Sequence, residues 1–264
     1  MSHDPLPLYY VQKPERQNMI TLYDVGPHKY GEGVAMSPFV RGIRLALHFK
    51  KIPYTVKELG GHELESTAKS IGAQPTMDYT DGSPKYTVPM IQDSKTGKVL
   101  SDSFLIAEYL DEAYPDTPRI IPPGTRMLQL AFCTLTFRTI EPLLPVVRPI
   151  VIDKFLPSEV SKAVRKVFEE SGAKLTMTEE EQAEAWRKVI VGFKLLAQGY
   201  GEGDSPFVMG GTTPTYADMR MAGFLWVADQ VVGDSQGWKD IKAVADGKFA
   251  RLYEETLAVC NKQA

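Results

Sequence analysis

The sequence predicts a two-domain chain, a mixed α/β domain followed by an all-helical one. Three observations carry this. Strand-like alternation and helical periodicity interchange between Met19 and Tyr114. The stretch Tyr114–Gly124 (YPDTPRIIPPG) then breaks every pattern with four prolines, as a domain boundary does. Each periodic segment beyond residue 125 repeats in the helical manner. A chain of 264 residues suits two domains of ordinary size, and 43% apolar content is enough to give each a core.

Residues 1–18 are polar, proline-containing and aperiodic, and read as an extension. Met19–Asp24 (MITLYD) alternates as a strand, and a Gly/Pro/His-rich loop runs from Gly26 to Gly33. Ser37-Pro38 opens a helix, with Ser at the cap, Pro at the first helical position, and Phe39, Ile43, Ala46 and Leu47 on one face. Pro53–Leu59 is a second strand, so strand, helix and strand form a right-handed parallel unit. A short helix is expected over Leu64–Ile71. Thr87–Asp93 is a third strand, joined by the turn Asp93–Lys98 to a fourth at Lys98–Leu100. Asp102–Tyr114 is a helix with Leu105, Ile106, Tyr109 and Leu110 expected on its buried face. The order β-α-β-α-β-β-α is that of the thioredoxin-like fold. The expected division is therefore extension 1–18, thioredoxin-like domain 19–114, linker 115–124 and helical domain 125–264. In the last, Pro142, Pro145 and Pro149 should bend or break the helix over 125–156. Further helices are expected over Glu159–Ser171, Glu179–Gln198 and Thr215–Val232, with weaker ones near 238–245 and 247–261.

A net charge of −3 with no basic stripe argues against a nucleic-acid binder. No consecutive apolar run approaches the roughly 18 residues that cross a bilayer, and the N-terminus lacks the basic start and apolar stretch of a secretory signal. Cys133 and Cys260 stand alone, which makes neither a disulfide framework nor a metal site. A cytoplasmic protein without a metal is expected.

Three short motifs carry chemistry. Ser37 stands at a helix start, where unsatisfied N–H groups and a partial positive charge favour anions. A free thiol has a pKa near ~8.5, and lowering it by about two units takes roughly 2.7 kcal/mol. One hydrogen bond to a charged group supplies ~1.5–3 kcal/mol, so a hydroxyl aimed at sulfur suffices. Val88-Pro89 heads the third strand. A cis bond there would turn the Val88 backbone outward to pair with a peptide-like ligand. Asp102-Ser103 starts the next helix, offering a hydroxyl and free N–H groups to a carboxylate and an acid to an ammonium. Taken singly, each has a plainer reading: an N-cap, an edge-strand proline, a second cap. Together, in this order, a thioredoxin-like sheet brings them to one edge. They then describe a ligand with a thiol, a peptide backbone and an amino-acid end, which is glutathione.

On the segments ITLYD, SPFVRGIRLAL, TVPMI, LSDSFLIAEYLDEAYP and TTPTYADMRMAGFL, the chain resembles the cytosolic glutathione transferases over about residues 19–262. Within them it is most similar to the etherase-type branch, which includes the fungal FuA class. The resemblance implies that Ser37 activates the thiol, that Val88 and Pro89 hold the cysteinyl backbone, and that Asp102 and Ser103 bind the γ-glutamyl end. Lys85 or Thr87 would reach the glycyl carboxylate. It also implies a homodimer, and a folding role for the box Thr215-x-x-Asp218. The second substrate would lie between the domains, with Tyr30, Met36, Phe39, Phe132, Phe137, Leu143 and Leu144 as its expected lining. The stretch 72–85 (GAQPTMDYTDGSPK) departs from the family pattern and reads either as a roof over the pocket or as an ordinary loop.

Two functions fit best. One is a transferase or etherase in which a Ser37-held thiolate attacks an electrophilic carbon. The other is a ligandin-type carrier of aromatic or polyphenolic compounds. Thiol reduction would need a cysteine where Ser37 stands. A purely structural role is the remaining reading.

Overall fold

The computed structural model describes residues 19–26, 36–79, 81–170, 175–200 and 205–262. The extension 1–18 and the loop that carries Tyr30 lie outside them. The first domain holds strand β1 (Ile20–Val25), helix α1 (Pro38–Phe49), β2 (Tyr54–Leu59), α2 (Leu64–Ile71), β3 (Met77–Asp78), β4 (Pro84–Lys85), β5 (Met90–Asp93), β6 (Val99–Ser101) and α3 (Ser103–Ala113). The four-stranded sheet has the order β2-β1-β5-β6, with β1 parallel to β2 and antiparallel to β5, and β5 antiparallel to β6. This is the thioredoxin-like arrangement the sequence predicts.

Two local expectations change. The third strand begins at Met90, not Thr87, because the β3–β4 ribbon formed by the 72–85 stretch feeds into Thr87–Pro89 first. Leu105, expected on the buried face of α3, is 49% exposed, and Phe104 and Ala107 are buried in its place.

The second domain is helical: α4 (Arg126–Ile140), a 3₁₀ turn (Glu141–Leu143), α5 (Leu144–Phe155), α6 (Ser158–Glu170), α7 (Glu179–Gln198), α8 (Tyr216–Val232), α9 (Gln236–Ala243) and α10 (Lys248–Lys262). The expected break falls at Pro142 in the 3₁₀ turn, and Pro149 sits inside α5. By length and composition the whole run Arg126–Phe155 is apolar enough to cross a bilayer, beyond what consecutive apolar residues suggest. Here its Leu143, Leu144, Val147 and Val151 line a cleft between the domains. Thr215 and Asp218 form the expected capping box on α8, and the Asp218 carboxylate also accepts the Val208 N–H at 2.7 Å.

One apolar core runs from the inner face of the sheet (Ile20, Leu22, Ile91) through α1 into α8 and the helices around it. A small second core under α2 takes Tyr23, Leu59 and Met90 from the opposite face of the sheet. Strand alternation assigns these residues to their two faces. Helix α1 is buried along nearly its whole length, and it crosses α8 at two glycines. A Cβ on Gly223 would stand 2.5 Å from the Pro38 carbonyl oxygen and 3.1 Å from the Gly42 nitrogen; one on Gly42 would stand 3.4 Å from the Arg220 Cα. At the far end of α1 the buried Lys50 ammonium pairs with Asp111 of α3 at 2.7 Å and donates to the Pro118 carbonyl at 2.9 Å. The same carboxylate accepts the N–H groups of Ile120 and Ile121. One buried ion pair thus joins α1, α3 and the proline-rich linker.

Backbone atoms cannot give way as a side chain can. Gly223→Ala should therefore cost about 1–3 kcal/mol, as overpacking does, read as a lower urea midpoint. An unchanged midpoint would mean that α1 and α8 are free to separate.

Candidate functional site

The strand register decides which loops meet. Tyr23 lies opposite Met90, so two residues earlier Val88 falls beside the end of β1, where the chain leaves for Ser37. Ser101 lies opposite Met90 on the other side, so Asp102 falls beside Pro89. The starts of α1 and α3 and the Val88–Pro89 corner therefore share one sheet edge.

At that edge Ser37 caps α1, its hydroxyl oxygen accepting the Val40 N–H at 3.4 Å. A hydroxyl that accepts still has its own proton to donate. The Val88–Pro89 bond is cis. Among the described residues neither the N–H nor the C=O of Val88 has a hydrogen-bond partner. Asp102, at φ +74°, caps α3 by accepting the N–H groups of Phe104 and Leu105 at 2.8 and 3.0 Å. The Ser103 hydroxyl is buried and accepts from Arg220 Nη1 of α8 at 2.6 Å.

Two hollows open here. One, of about 330 Å³, is lined by Asp102, Ser101, Gln74, Thr76, Phe104 and Arg126. The other, of about 510 Å³, lies between the domains, with Ser37 and Met36 on one wall and Leu143, Leu144, Val147 and Val151 on another. Beneath the edge, burial pushes the Asp24 carboxyl up to about 7, against the lowering pull of its own contact with the Val25 N–H and of Arg44 and Arg41.

The first domain matches the family model described as "Glutathione S-transferase, N-terminal domain" over residues 36–113. The second matches "Glutathione S-transferase, C-terminal domain" over residues 127–258. The chain belongs to the glutathione S-transferase family.

Among solved transferases, one from Ceriporiopsis subvermispora, determined in complex with glutathione, superposes at a TM-score of 0.80. It is 35% identical, over 92% of this chain and 97% of that one. GSTFuA3 of Phanerochaete chrysosporium superposes at 0.78 with 31% identity, over 91% and 96%. A glutathione S-transferase-like protein, ustS, of Aspergillus flavus is 26% identical over 91% of both chains. The fungal FuA class suggested by the sequence is thus among the structural neighbours of this transferase.

Not every side chain singled out in the sequence reaches this edge of the transferase. Phe39 and Phe137, expected in the second pocket, pack instead with Phe224, at ring separations of 5.9, 5.4 and 6.3 Å. Phe132 packs against the core and is absent from the cleft wall. Apolar contact with neighbouring helices holds all three more strongly than an open cleft would. Tyr30 lies outside the described residues. Lys85 Nζ sits 5.2 Å over the Tyr79 ring, and the Thr87 hydroxyl bonds that of Thr76 at 2.7 Å, which ties the β3–β4 ribbon to the Val88 corner.

Sequence reasoning missed Val147 and Val151, although Leu144, Val147 and Val151 follow the i, i+3, i+4 rule of a single helix face. It also missed Arg220, whose Ser103 partner is 117 residues away and leaves no local signal.

Proposed function

We propose that the protein is a serine-type transferase in which the Ser37 hydroxyl donates to the glutathione sulfur and holds it as thiolate. In this reading Val88 pairs with the cysteinyl backbone through its free N–H and C=O. Asp102 and Ser103 receive the γ-glutamyl end in the smaller hollow, and the sulfur faces the apolar cleft. The observation that carries the reading is the position of Ser37, at a helix start and on the cleft wall together. The helix start favours the anion, and the apolar wall strengthens any hydrogen bond made to it. Ser37→Ala should leave glutathione affinity within about threefold and lower kcat for conjugation by about one to two decades, the value of a hydrogen bond to a charged group. Equal kcat in the two proteins would reject Ser37 as the activating group.

The cleft also speaks to the second substrate. Apart from Phe224 its described walls are aliphatic, and only Ser37 and Arg148 carry side-chain N–H or O–H groups. A polyphenol would leave hydroxyls without partners there, at about 1–3 kcal/mol each, which weighs against the carrier reading. The described walls also offer little to protonate a departing aryl oxide, so addition suits the cleft better than ether cleavage. Sulfur bonds to the β-carbon of an enal or enone, the alkene pair shifts to the bond between the α-carbon and the carbonyl carbon as the carbonyl π pair moves onto oxygen, and solvent returns a proton to the α-carbon. For linear 2-alkenals, kcat/KM should rise about fourfold per methylene, from ~0.8 kcal/mol each, until the cleft is full. A flat series, or a hydroxylated cinnamaldehyde preferred over its parent, would contradict this acceptor class.

The proposed assembly is a homodimer through the exposed apolar side chains at the starts of α3 and α4: Leu105, Met127 (71% exposed) and Leu128 (60% exposed). The Arg126–Glu108 ion pair ties the start of α4 to the middle of α3. Leu128→Glu should convert a sedimenting dimer to a monomer, whereas a wild-type protein monomeric at micromolar concentration would exclude the assembly.

A further inference from the structure

Helix α5 turns one face to the cleft between the domains, and that face holds a single charge. Leu144, Val147, Val151 and Ile152 follow one another along it at helical spacing, and Arg148 stands among them, one turn after Leu144 and one turn before Ile152. The opposing walls, from the start of α1, from α6 (Val160, Val164) and from α8 (Phe224, Val227), are apolar apart from Ser37. Among the described residues of the lining there is no acidic side chain. Ile152 is buried, whereas Arg148 is exposed, so the cation marks the rim where the cleft opens to water. Arg165, Lys162 and Lys154 lie on the same pair of helices, but they are bonded to Asp153, to Glu159 and to the Gln230 carbonyl, and none of the three lines the cleft.

An arginine on an otherwise aliphatic face is a selective feature. Its stem packs with apolar neighbours while its guanidinium stays at the water boundary. A neutral acceptor gains nothing from that charge, and a cationic one is repelled by it. A carboxylate matches the planar fork through two parallel N–H···O bonds. A molecule that fills the cleft and uses both of its polar points therefore has three parts: an electrophilic carbon at the Ser37 end, an alkyl chain along the aliphatic walls, and an anion at the rim. A cleft of about 510 Å³ is of the size that takes such a ligand.

We propose that Arg148 is a specificity-determining residue that receives a carboxylate at the far end of the acceptor's alkyl chain. The preferred acceptors are then alkenals that end in a carboxylate, the functional pattern of an oxidised fatty-acid fragment. This rests on the reading of the cleft as the acceptor site, and adds which acceptors the site selects. The bond-forming step is the same addition of sulfur to the β-carbon; the carboxylate binds and does not react.

The test sets a homologous series of 2-alkenals with a terminal carboxylate against the methyl esters of the same acids. In wild type the acid-to-ester ratio of kcat/KM should reach about fivefold, the size of one exposed ion pair of good geometry, at the chain length that spans Ser37 and Arg148, and should fall towards unity for shorter chains. Arg148→Gln should bring the ratio to unity at every length, Arg148→Lys should keep part of it, and Arg148→Glu should invert it. Because each ratio is taken within one protein, a general loss of active enzyme cancels. No preference in wild type, or one that survives in Arg148→Gln, overturns the proposal. So does a preference of one size at every chain length, which is what attraction at a distance produces. Decanoate and methyl decanoate, which cannot react, separate this from the acceptor reading. If no alkenal is turned over while calorimetry shows decanoate favoured by wild type and not by Arg148→Gln, the acceptor class fails and the anion site stands. Equal binding of the two by wild type removes the anion site whatever the alkenals do.

Discussion

Helices α1 and α8 meet at Gly42 and Gly223, where backbone lies against backbone and no side chain can be added at Gly223 without displacing the Pro38 carbonyl or the Gly42 amide. Much else depends on this contact. It fixes the height and tilt of α1 between the sheet and the helical domain, and so fixes Ser37 at the start of α1. It brings the aliphatic faces of α5 and α8 opposite Ser37, which makes the cleft. It also sets Arg220 near enough to α3 to bond Ser103. Close helix approach of this kind leaves few alternative packings, because an interior at crystal-like density does not deform smoothly.

The opposite end of α1 is held by charge. Lys50 and Asp111 satisfy each other and three further backbone groups, so the desolvation of both ions is offset by several hydrogen bonds to fixed partners. Arg41, also on α1, lies 3.7 Å over the Trp226 ring of α8 and is likewise buried. Burial holds it down to about 9, with Arg44 adding to the lowering. The two domains are therefore joined by packed glycines and by rings over cations, while the buried ion pair ties α1 to α3 and the linker within the first. Such a joint holds Ser37, the proposed thiol-activating group, on the wall of the inter-domain cleft as one rigid unit. Catalysis by ionisation and positioning needs that rigidity, since the gain comes from geometry set before the reaction starts.

Much of this was legible in sequence where the signal is local. Ser37-Pro38 announces a helix start, Thr215 and Asp218 announce another, and α2 and α7 fall on the predicted residues because periodicity and caps agree. The three loops of the site were legible because topology alone brings them to one edge. Less local features were not. The β3–β4 strands are two residues each and largely exposed, too short for alternation to show. Leu105 follows the apolar pattern of α3 yet faces outward. Phe39 and Phe137 carry the composition of a pocket wall, but their partner Phe224 is supplied by a distant helix. The Ser103–Arg220 bond belongs to tertiary structure alone.

The central claim is that the Ser37 hydroxyl, held at the start of a fixed α1, stabilises a thiolate. Titrating the ultraviolet absorbance of the bound glutathione thiolate in wild type and in Ser37→Ala tests it most directly. The wild-type complex should ionise about two units below the ~8.5 of a free thiol, and the variant should return most of the way towards that value. Superimposable titrations in the two proteins would contradict it.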